Sequence, residues 1–260
     1  MLPIQSDVQI TSLKLVAEDT YSLCFLSPDI TKSILPGQFV NIRVQNEYDP
    51  FLRRPYSISN VYGDECEILF AVVGKGTEIL ARKRIGDRIH ILGPLGNSFG
   101  FEKDFQHALI VAGGIGMAPF PFLMKELQKK KKNVYVFIGA RNKFRLIHDH
   151  YPNLSIATDD GSEGYHGNVV QCLEDYWNNH PLDDSFIFTC GPNIMLHAVQ
   201  QFAKKNNIRC ELSLESEMAC GMGICQGCPI EQVGEERKYA LVCTDGPCFD
   251  SNKILFSEHA

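Results

Sequence analysis

The sequence lacks the features that would direct it to nucleic acid or to a membrane. Its net charge of −6 gives no basic excess, so we expect no nucleic-acid partner. The opening "MLPIQSDVQI" has neither the basic start nor the apolar centre of a signal peptide. The longest apolar stretch, 108–124, is broken by three glycines and two prolines, which is typical of a buried strand and a turn. We therefore expect no membrane association and a cytoplasmic location.

A disulfide framework is also not expected. Ten cysteines in a chain without an export signal indicate reduced thiols or metal ligands. Half of them lie after residue 219, and the other half are scattered and predicted to be small buried hydrophobes (Cys24, Cys66, Cys172, Cys190 and Cys210).

The chain divides into three regions, and the first has little helical pattern. Residues 1–101 alternate apolar and polar side chains between turn signals, which predicts an antiparallel β-barrel or sandwich of about six strands. In residues 102–212, each apolar run is followed by a helix-compatible stretch. This alternation predicts a parallel α/β domain whose sheet is covered by helices on both faces. Residues 213–260 return to short strands around a cysteine cluster and predict a small C-terminal subdomain.

Two glycine-containing motifs fall at the carboxyl ends of predicted parallel strands. In "VAGGIGMAP", Gly113, Gly114 and Gly116 allow backbone amides to approach a pyrophosphate at a helix start. A tight turn without a ligand is the alternative, because the pattern is not the standard G-x-G-x-x-G. "CGPNIM", beginning at Cys190, ends another strand of the same sheet. Two such motifs on one edge favour a shared nucleotide ligand.

Two further motifs lie in the barrel region. In "RRPYSIS", residues 53–59, paired arginines can bind phosphate oxygens while the tyrosine stacks on a flat cofactor. An exposed basic pair beside an ordinary strand is the alternative. "VVGKGTEIL", residues 72–80, has a glycine turn that enters a short helix, which predicts a second phosphate site; a plain hairpin turn is the alternative.

The cysteine cluster is the most specific signal. Cys220, Cys225 and Cys228, followed by Cys243, match the spacing C-x4-C-x2-C…C of plant-type [2Fe–2S] centres. A structural zinc site is the alternative, but zinc ribbons usually draw two ligands from each of two short knuckles. Cys248 competes with Cys243 as the fourth ligand.

Taken in order, the motifs resemble those of one family over nearly the whole chain. They are "LRRPYSIS", "VVGKGTEIL", "LGPLGNSF", "GGIGMAP", "TDDGSEGYHG", "CGPNIM", "MACGMGICQGC" and "VCTDGPCF". The set resembles the electron-transfer subunit of class 1B dihydroorotate dehydrogenase, in the ferredoxin–NADP reductase superfamily. The resemblance implies an FAD-binding barrel, a nucleotide-binding α/β domain and a [2Fe–2S] subdomain.

The resemblance also implies roles for particular residues. FAD would be bound by Arg53, Arg54, Pro55, Tyr56 and Ser57, lined by Phe70, Ala71 and Val72, and held at its pyrophosphate by Gly76 and Thr77. Cys243 precedes "x-D-G-P" and would be the fourth cluster ligand, which leaves Cys248 as an extra thiol. Ser57 and Cys190 are candidate catalytic residues that would polarise or orient groups beside the hydride path.

The choice of nicotinamide cofactor rests on the end of the third α/β strand. Asp159 and Asp160 stand there, and two carboxylates would repel the 2′-phosphate of NADP. We therefore expect NAD, with Asp160 among its binding residues. Arg141 in "GARN" is the contrary feature.

The function implied is electron transfer between one-electron and two-electron carriers. Electrons would pass from the FMN of a (β/α)₈ catalytic subunit through [2Fe–2S] and FAD to NAD⁺, in a 2+2 heterotetramer that serves pyrimidine biosynthesis. A nearer alternative is the same module serving a hydrogenase, a sulfur-reducing complex or a ferredoxin. A remote one is a zinc-stapled nucleotide-binding module without enzymatic activity.

Overall fold

A computed structural model describes residues 3–45, 48–148, 150–234 and 238–256. Its strands form a closed barrel, a seven-stranded sheet and a two-stranded sheet. Among the described residues, no helix has both the length and the apolar character needed to cross a bilayer.

The barrel occupies the N-terminal region. Its strands are β1 (Ile4–Ala17), β2 (Thr20–Leu26), β3 (Phe39–Arg43), β4 (Arg54–Tyr62), β5 (Glu65–Ala71) and β6 (Arg88–Leu95), with the short helices α1 (Pro28–Thr31) and α2 (Lys75–Ala81) between them. They close in the order β1-β2-β5-β4-β3-β6, with every neighbouring pair antiparallel. Alternate residues such as Ile10, Phe25 and Ile42 fill its interior because strand side chains alternate between faces. The predicted six-stranded barrel is confirmed.

The second region is a parallel sheet covered by helices. Its strands are β7 (His107–Gly113), β8 (Asn133–Ala140), β9 (Leu154–Thr158), β10 (Tyr165–His166), β11 (Ser185–Cys190) and β12 (Arg209–Ser213), in the order β10-β9-β8-β7-β11-β12. Helix α3 (Phe120–Lys129) covers one face, and helices α4 (Val169–Asn179) and α5 (Asn193–Lys205) cover the other. The prediction of a parallel α/β domain is confirmed.

One connection in this region differs from the expected strand–helix alternation. Among the described residues between β8 and β9, the helical structure is limited to the 3₁₀ turn Lys143–Arg145. The side chain of Asn142 caps this turn and accepts from the Phe144 amide at 3.0 Å. Leu146 and Ile147 are buried here as neighbours in sequence, so the segment has no apolar face of helical period.

The C-terminal region is joined to both others. Strands β13 (Pro229–Glu231) and β14 (Tyr239–Leu241) pair with each other, whereas β15 (Cys248–Asp250) pairs antiparallel with β12 and extends the parallel sheet. A 3₁₀ turn, Ser251–Lys253, follows. The domain bounds 1–101, 102–212 and 213–260 stay predictions.

Candidate functional site

A cleft between the barrel and the parallel sheet holds two adjoining cavities. The first has a volume of about 350 Å³ and the second of about 660 Å³. They share four lining residues: Ala71, Val73, Ile115 and Glu215. A ligand in one cavity therefore lies next to a ligand in the other.

The first cavity is built mainly by β4 and β5. Predicted residues that line it are Arg54, Pro55, Tyr56, Ser57, Phe70, Ala71 and Thr77. The hydroxyl of Tyr56 is buried and has no hydrogen-bond partner in the described part of the chain. Its burial raises the pKa of this phenol to about 12, so it stays a hydrogen-bond donor at neutral pH. Aromatic walls with an unpartnered donor fit a flat ring system with polar edges, such as a flavin.

One end of the first cavity suits a diphosphate. A Cβ atom on Gly76 would lie 2.9 Å from Nε of Arg54, so the guanidinium rests directly on the start of α2. The hydroxyl of Thr77 accepts from the amides of Val73 at 2.9 Å and Gly74 at 3.1 Å, which fixes the loop. Arg54 is therefore well placed for phosphate oxygens beside a glycine turn.

Arg53 takes a different direction from its neighbour. Its guanidinium donates to Nδ1 of His90 at 2.8 Å and to the His90 carbonyl at 3.0 Å. It does not line the first cavity. The arrangement holds β6 to the start of β4, and a contact of Arg53 with FAD stays a prediction.

The second cavity brings the two strand-end glycine motifs together. Gly113, Gly114 and Gly116 line it from the end of β7, and Gly191 lines it from the end of β11. A Cβ on Gly116 would lie 2.3 Å from the carbonyl oxygen of Cys190, so only glycine allows this approach. The bare backbone at the edge of a parallel sheet fits a dinucleotide pyrophosphate.

Charged side chains surround the far part of the second cavity. Asp159 and Arg141 both line it, and Val72 lies on the barrel side. Asp160 is exposed beside it, and its carboxylate accepts from the amide of Ser162 at 2.9 Å. Hydrogen bonds from the Ser162 hydroxyl and amide lower the pKa of Asp160. Of the two aspartates, Asp159 is the one that faces the cavity.

The two predicted catalytic residues occupy different positions. Ser57 lines the first cavity, whereas Cys190 is only 2% exposed and lines neither cavity. Burial raises the pKa of the Cys190 thiol, and the Ser213 hydroxyl is its hydrogen-bond partner. The thiol therefore lies behind the cavity wall, and both catalytic roles stay predictions.

Glu215 is a residue that sequence reasoning missed. It follows β12, and its side chain is exposed to the open space of both cavities, where the surrounding walls replace part of the bulk water. This desolvation raises the pKa of the carboxyl group. The available signal was an acidic residue just past a buried strand, at the same sheet edge as the glycine motifs.

The cysteine loop lies directly beyond the first cavity. Met218, Val242 and Pro247 from the C-terminal region line that cavity, and Cys220 follows Met218 by two positions. Its thiols contact each other in two pairs, Cys220 with Cys225 and Cys228 with Cys243.

Backbone amides point at two of these sulfurs. Sγ of Cys220 accepts from the amides of Met222 at 3.5 Å and Cys225 at 3.4 Å, and Sγ of Cys243 accepts from Gly223 at 3.2 Å. Burial acts to raise the pKa of Cys220, but the amide hydrogen bonds outweigh it and lower the pKa to about 7. For Cys243, burial and the neighbouring Cys228 thiol raise the pKa to about 12.

The thiol pairs fit a two-iron cluster. A [2Fe–2S] centre takes two thiolates at each iron, and amide donors to sulfur tune its potential. Within the described ranges, no three Cys, His, Asp or Glu side chains converge on the site of a single ion. Cys248 lies elsewhere, because a Cβ on Gly37 would be 2.6 Å from its Sγ.

The fold and the cleft define the class of protein: a ferredoxin-reductase-like oxidoreductase with sites for a flavin, a dinucleotide and an iron–sulfur cluster. A family model described as the oxidoreductase FAD-binding domain matches residues 7–99. Another, described as the iron–sulfur cluster binding domain of dihydroorotate dehydrogenase B, matches residues 215–255.

Curated relatives narrow the class. The electron transfer subunit of dihydroorotate dehydrogenase B (NAD⁺) from Desulforamulus reducens is 36% identical over 264 residues, covering 96% of this chain and 98% of the relative. The corresponding subunit from Enterococcus faecalis is 35% identical over 261 residues, covering 96% and 98%. The chain belongs to the family of dihydroorotate dehydrogenase B electron transfer subunits.

Solved structures agree with this fold. A structure of the NADH-dependent reduced ferredoxin–NADP oxidoreductase has a TM-score of 0.83 at 28% identity, covering 95% of this chain and 89% of that one. A ferredoxin–NADP⁺ reductase from Neisseria gonorrhoeae, with bound FAD and NADP, has a TM-score of 0.66 at 17% identity, covering 77% and 91%. The second likeness concerns the fold alone.

Proposed function

We propose that this chain is the electron-transfer subunit of an NAD-dependent dihydroorotate dehydrogenase of pyrimidine biosynthesis. It passes electrons from the FMN of a dihydroorotate-oxidising catalytic subunit, by way of [2Fe–2S] and FAD, to NAD⁺. The observation that carries the proposal is the continuous series of sites: the second cavity, the first cavity and the cysteine loop share walls in that order.

Each site supports one cofactor. When bound, FAD exchanges two electrons with a nicotinamide and single electrons with an iron–sulfur cluster. Arg54, Tyr56 and Thr77 hold the flavin nucleotide in the first cavity, and the glycine turns at 113–116 and 191 bind NAD(H) in the second. The cluster ligands are Cys220, Cys225, Cys228 and Cys243.

Charge in the second cavity supports NAD over NADP. Asp159 faces the cavity and repels a 2′-phosphate. Arg145 also lines the cavity, but it forms an ion pair with Glu18 across the cleft at 2.8 Å. Arg141 also lines this wall and would attract a 2′-phosphate, but the carboxylate of Asp159 in the same cavity would repel it.

The surface of the cysteine loop supports contact with another protein. Ile224 is 77% exposed at its tip, and Met222 and Cys225 are exposed beside it. An apolar tip over a cluster is suited to docking against a partner that exchanges electrons with it. We place the catalytic subunit there, in a 2+2 heterotetramer. None of the ten cysteines, all within the described residues, forms a disulfide, which supports a cytoplasmic location.

A second candidate function has one observation in its favour. The match of 28% identity and TM-score 0.83 is to a reductase that is named for ferredoxin and NADP. In this second function the same module serves a ferredoxin instead of a dihydroorotate-oxidising subunit.

The experiment that separates the two uses a tagged full-length chain purified from its own organism. We expect a flavoprotein to co-purify, and the complex to reduce NAD⁺ when dihydroorotate is added. Cys225→Ser should abolish this activity. Co-purification without dihydroorotate-dependent NADH formation, together with rapid reduction of added ferredoxin by NADH, would favour the second function.

A further inference from the structure

Asn41 is a buried polar residue with no part in the sites described above. It lies on β3, where Val40 and Ile42 point into the barrel core. Asn41 alternates with them and points outward, on the same side as Phe39, which lines the first cavity. Its side chain is nevertheless 0% exposed, because the C-terminal region covers this face of the barrel.

The carboxamide of Asn41 contacts the chain on both sides of the first cluster ligand. Its Nδ2 lies 3.8 Å from Sδ of Met218. It also fills the space over Gly221, where a Cβ atom would lie only 2.1 Å from Nδ2. Gly221 has a φ of +74°, so the loop turns sharply at this point. Met218 and Gly221 flank Cys220 in sequence.

The oxygen of the same carboxamide is unpaired. Oδ1 of Asn41 is buried and makes no hydrogen bond in the described part of the chain. Leaving a buried acceptor unsatisfied destabilises the folded chain, a cost that an apolar residue of the same size avoids. The benefit of asparagine at this position therefore lies in what its amide nitrogen does.

We propose that Asn41 is a positioning residue that fixes the Cys220 segment against the flavin-binding barrel. Through Met218 it contacts the wall of the first cavity, and through Gly221 it contacts the backbone next to the first ligand. The Cys220 sulfur itself accepts from the amides of Met222 and Cys225, so a shift of this segment would change the hydrogen bonds at the ligand. The inference rests on the proposed function, because it requires both FAD and the cluster.

The test compares variants of the full-length protein purified with its cofactors. Asn41→Leu replaces the carboxamide with an apolar group of similar size, and Asn41→Ala removes it without adding bulk. Asn60→Leu is the matched control, since Asn60 lies on barrel strand β4 and its side-chain amide donates a hydrogen bond to the Tyr62 hydroxyl at 2.9 Å. The flavin spectrum reports the fold. Readouts are the EPR spectrum of the reduced cluster, its midpoint potential and the rate of iron loss to a chelator.

We expect both Asn41 variants to retain FAD, to show a shifted cluster potential and an altered EPR signal, and to lose iron about tenfold faster, because partners that orient metal ligands typically contribute about 10–100-fold to metal affinity. Asn60→Leu should match the wild type. If Asn41→Leu does not fold, Asn41→Ala decides the question.

Wild-type values for potential, spectrum and iron loss in a folded Asn41→Ala protein would overturn the inference. So would a loss of FAD with the cluster unchanged, since the residue would then serve the barrel alone. A wild-type protein with no reduced-cluster signal overturns the proposed function, and the inference with it.

Discussion

At the scale of single residues, Glu215 is the acidic side chain that both cavities share. Its position after β12 places a carboxyl group where the flavin and nicotinamide sites meet. Desolvation by the walls favours the protonated form. The state of this group therefore affects both the stability of the folded chain and the charge at the meeting point of its two ligands.

Replacing Glu215 by glutamine should change stability in a pH-dependent way. Because the folded-state pKa is raised, the folded protein binds more protons than the unfolded one, and wild-type stability falls as pH rises through the interval between the two pKa values. Glu215→Gln does not titrate, so its melting temperature should exceed that of the wild type at pH 8, by a small margin because water screens the exposed side chain. The two should converge near pH 4, close to the ordinary pKa of about 4.3 for glutamate.

Glu217→Gln is the control for this comparison, since Glu217 is exposed on the same segment, as Glu215 is, but lines neither cavity. Thermal unfolding of the three proteins by circular dichroism across this pH range provides the measurement. An equal difference between Glu215→Gln and wild type at both pH values would show that desolvation of the carboxylate is not the cause.

The choice of the fourth cluster ligand is also a residue-scale question. Cys243 contacts Cys228 and accepts from the Gly223 amide, whereas Cys248 packs on β15 against Gly37. Cys243→Ser should therefore abolish the EPR signal of the reduced [2Fe–2S] cluster. Cys248→Ser should retain it, along with the flavin spectrum. Retention of a normal signal by Cys243→Ser, or its loss in a folded Cys248→Ser protein, would assign the ligand differently.

At the scale of secondary-structure elements, the turn from β7 to α3 packs closely against the end of β11 in the nucleotide site. Gly116 packs on the end of β11, where the Cys190 carbonyl leaves no room for a side chain. Gly114 differs: it has a φ of +54°, but apart from its chain neighbours no atom of the described residues lies within 4 Å of the point where its Cβ would stand. The two glycines thus serve different physical needs in one turn.

Alanine at these two positions should distinguish the effect of the positive φ at Gly114 from the effect of the close packing at Gly116. Gly114→Ala should lower the free energy of unfolding by about 1–2 kcal/mol, the usual cost of placing a residue with a side chain in the left-handed conformation. Gly116→Ala should lower the free energy of unfolding by more than Gly114→Ala does. It should also weaken NADH binding by a larger factor, because the whole turn must move away from β11. Denaturant unfolding and NADH titration of the flavin absorbance measure the two effects. If Gly116→Ala binds NADH as well as Gly114→Ala does, the close approach is not needed for the site.

The elements also show where sequence reasoning succeeds and where it stops. Period-two alternation predicted the barrel, which is confirmed, because that signal is local. The spacing of Cys220, Cys225 and Cys228 is also a local signal, and their role as cluster ligands stays a prediction. β15 was not predicted as part of the parallel sheet, since its three residues have no periodicity and its pairing with β12 is non-local. The different directions of Arg53 and Arg54 depend on where β4 begins, which alternation in sequence alone does not specify.

At the scale of the whole molecule, the three regions form one series of sites. Glu215, just after β12, lines both cavities, and the chain continues past Met218 into the cysteine loop. A single segment therefore connects the nucleotide site, the flavin site and the cluster. Strand β15 returns to pair with β12 and holds this segment in place. The small C-terminal region, which has few strands of its own, is therefore anchored to the parallel sheet through β15.

The most direct test of this series of redox sites is an anaerobic titration of the purified full-length protein with NADH, followed by optical and EPR spectroscopy. We predict one FAD and one [2Fe–2S] cluster per chain, bleaching of the flavin absorbance by NADH, and the EPR signal of a reduced cluster. A colourless protein that contains zinc, or a flavin that NADH does not reduce, would contradict it.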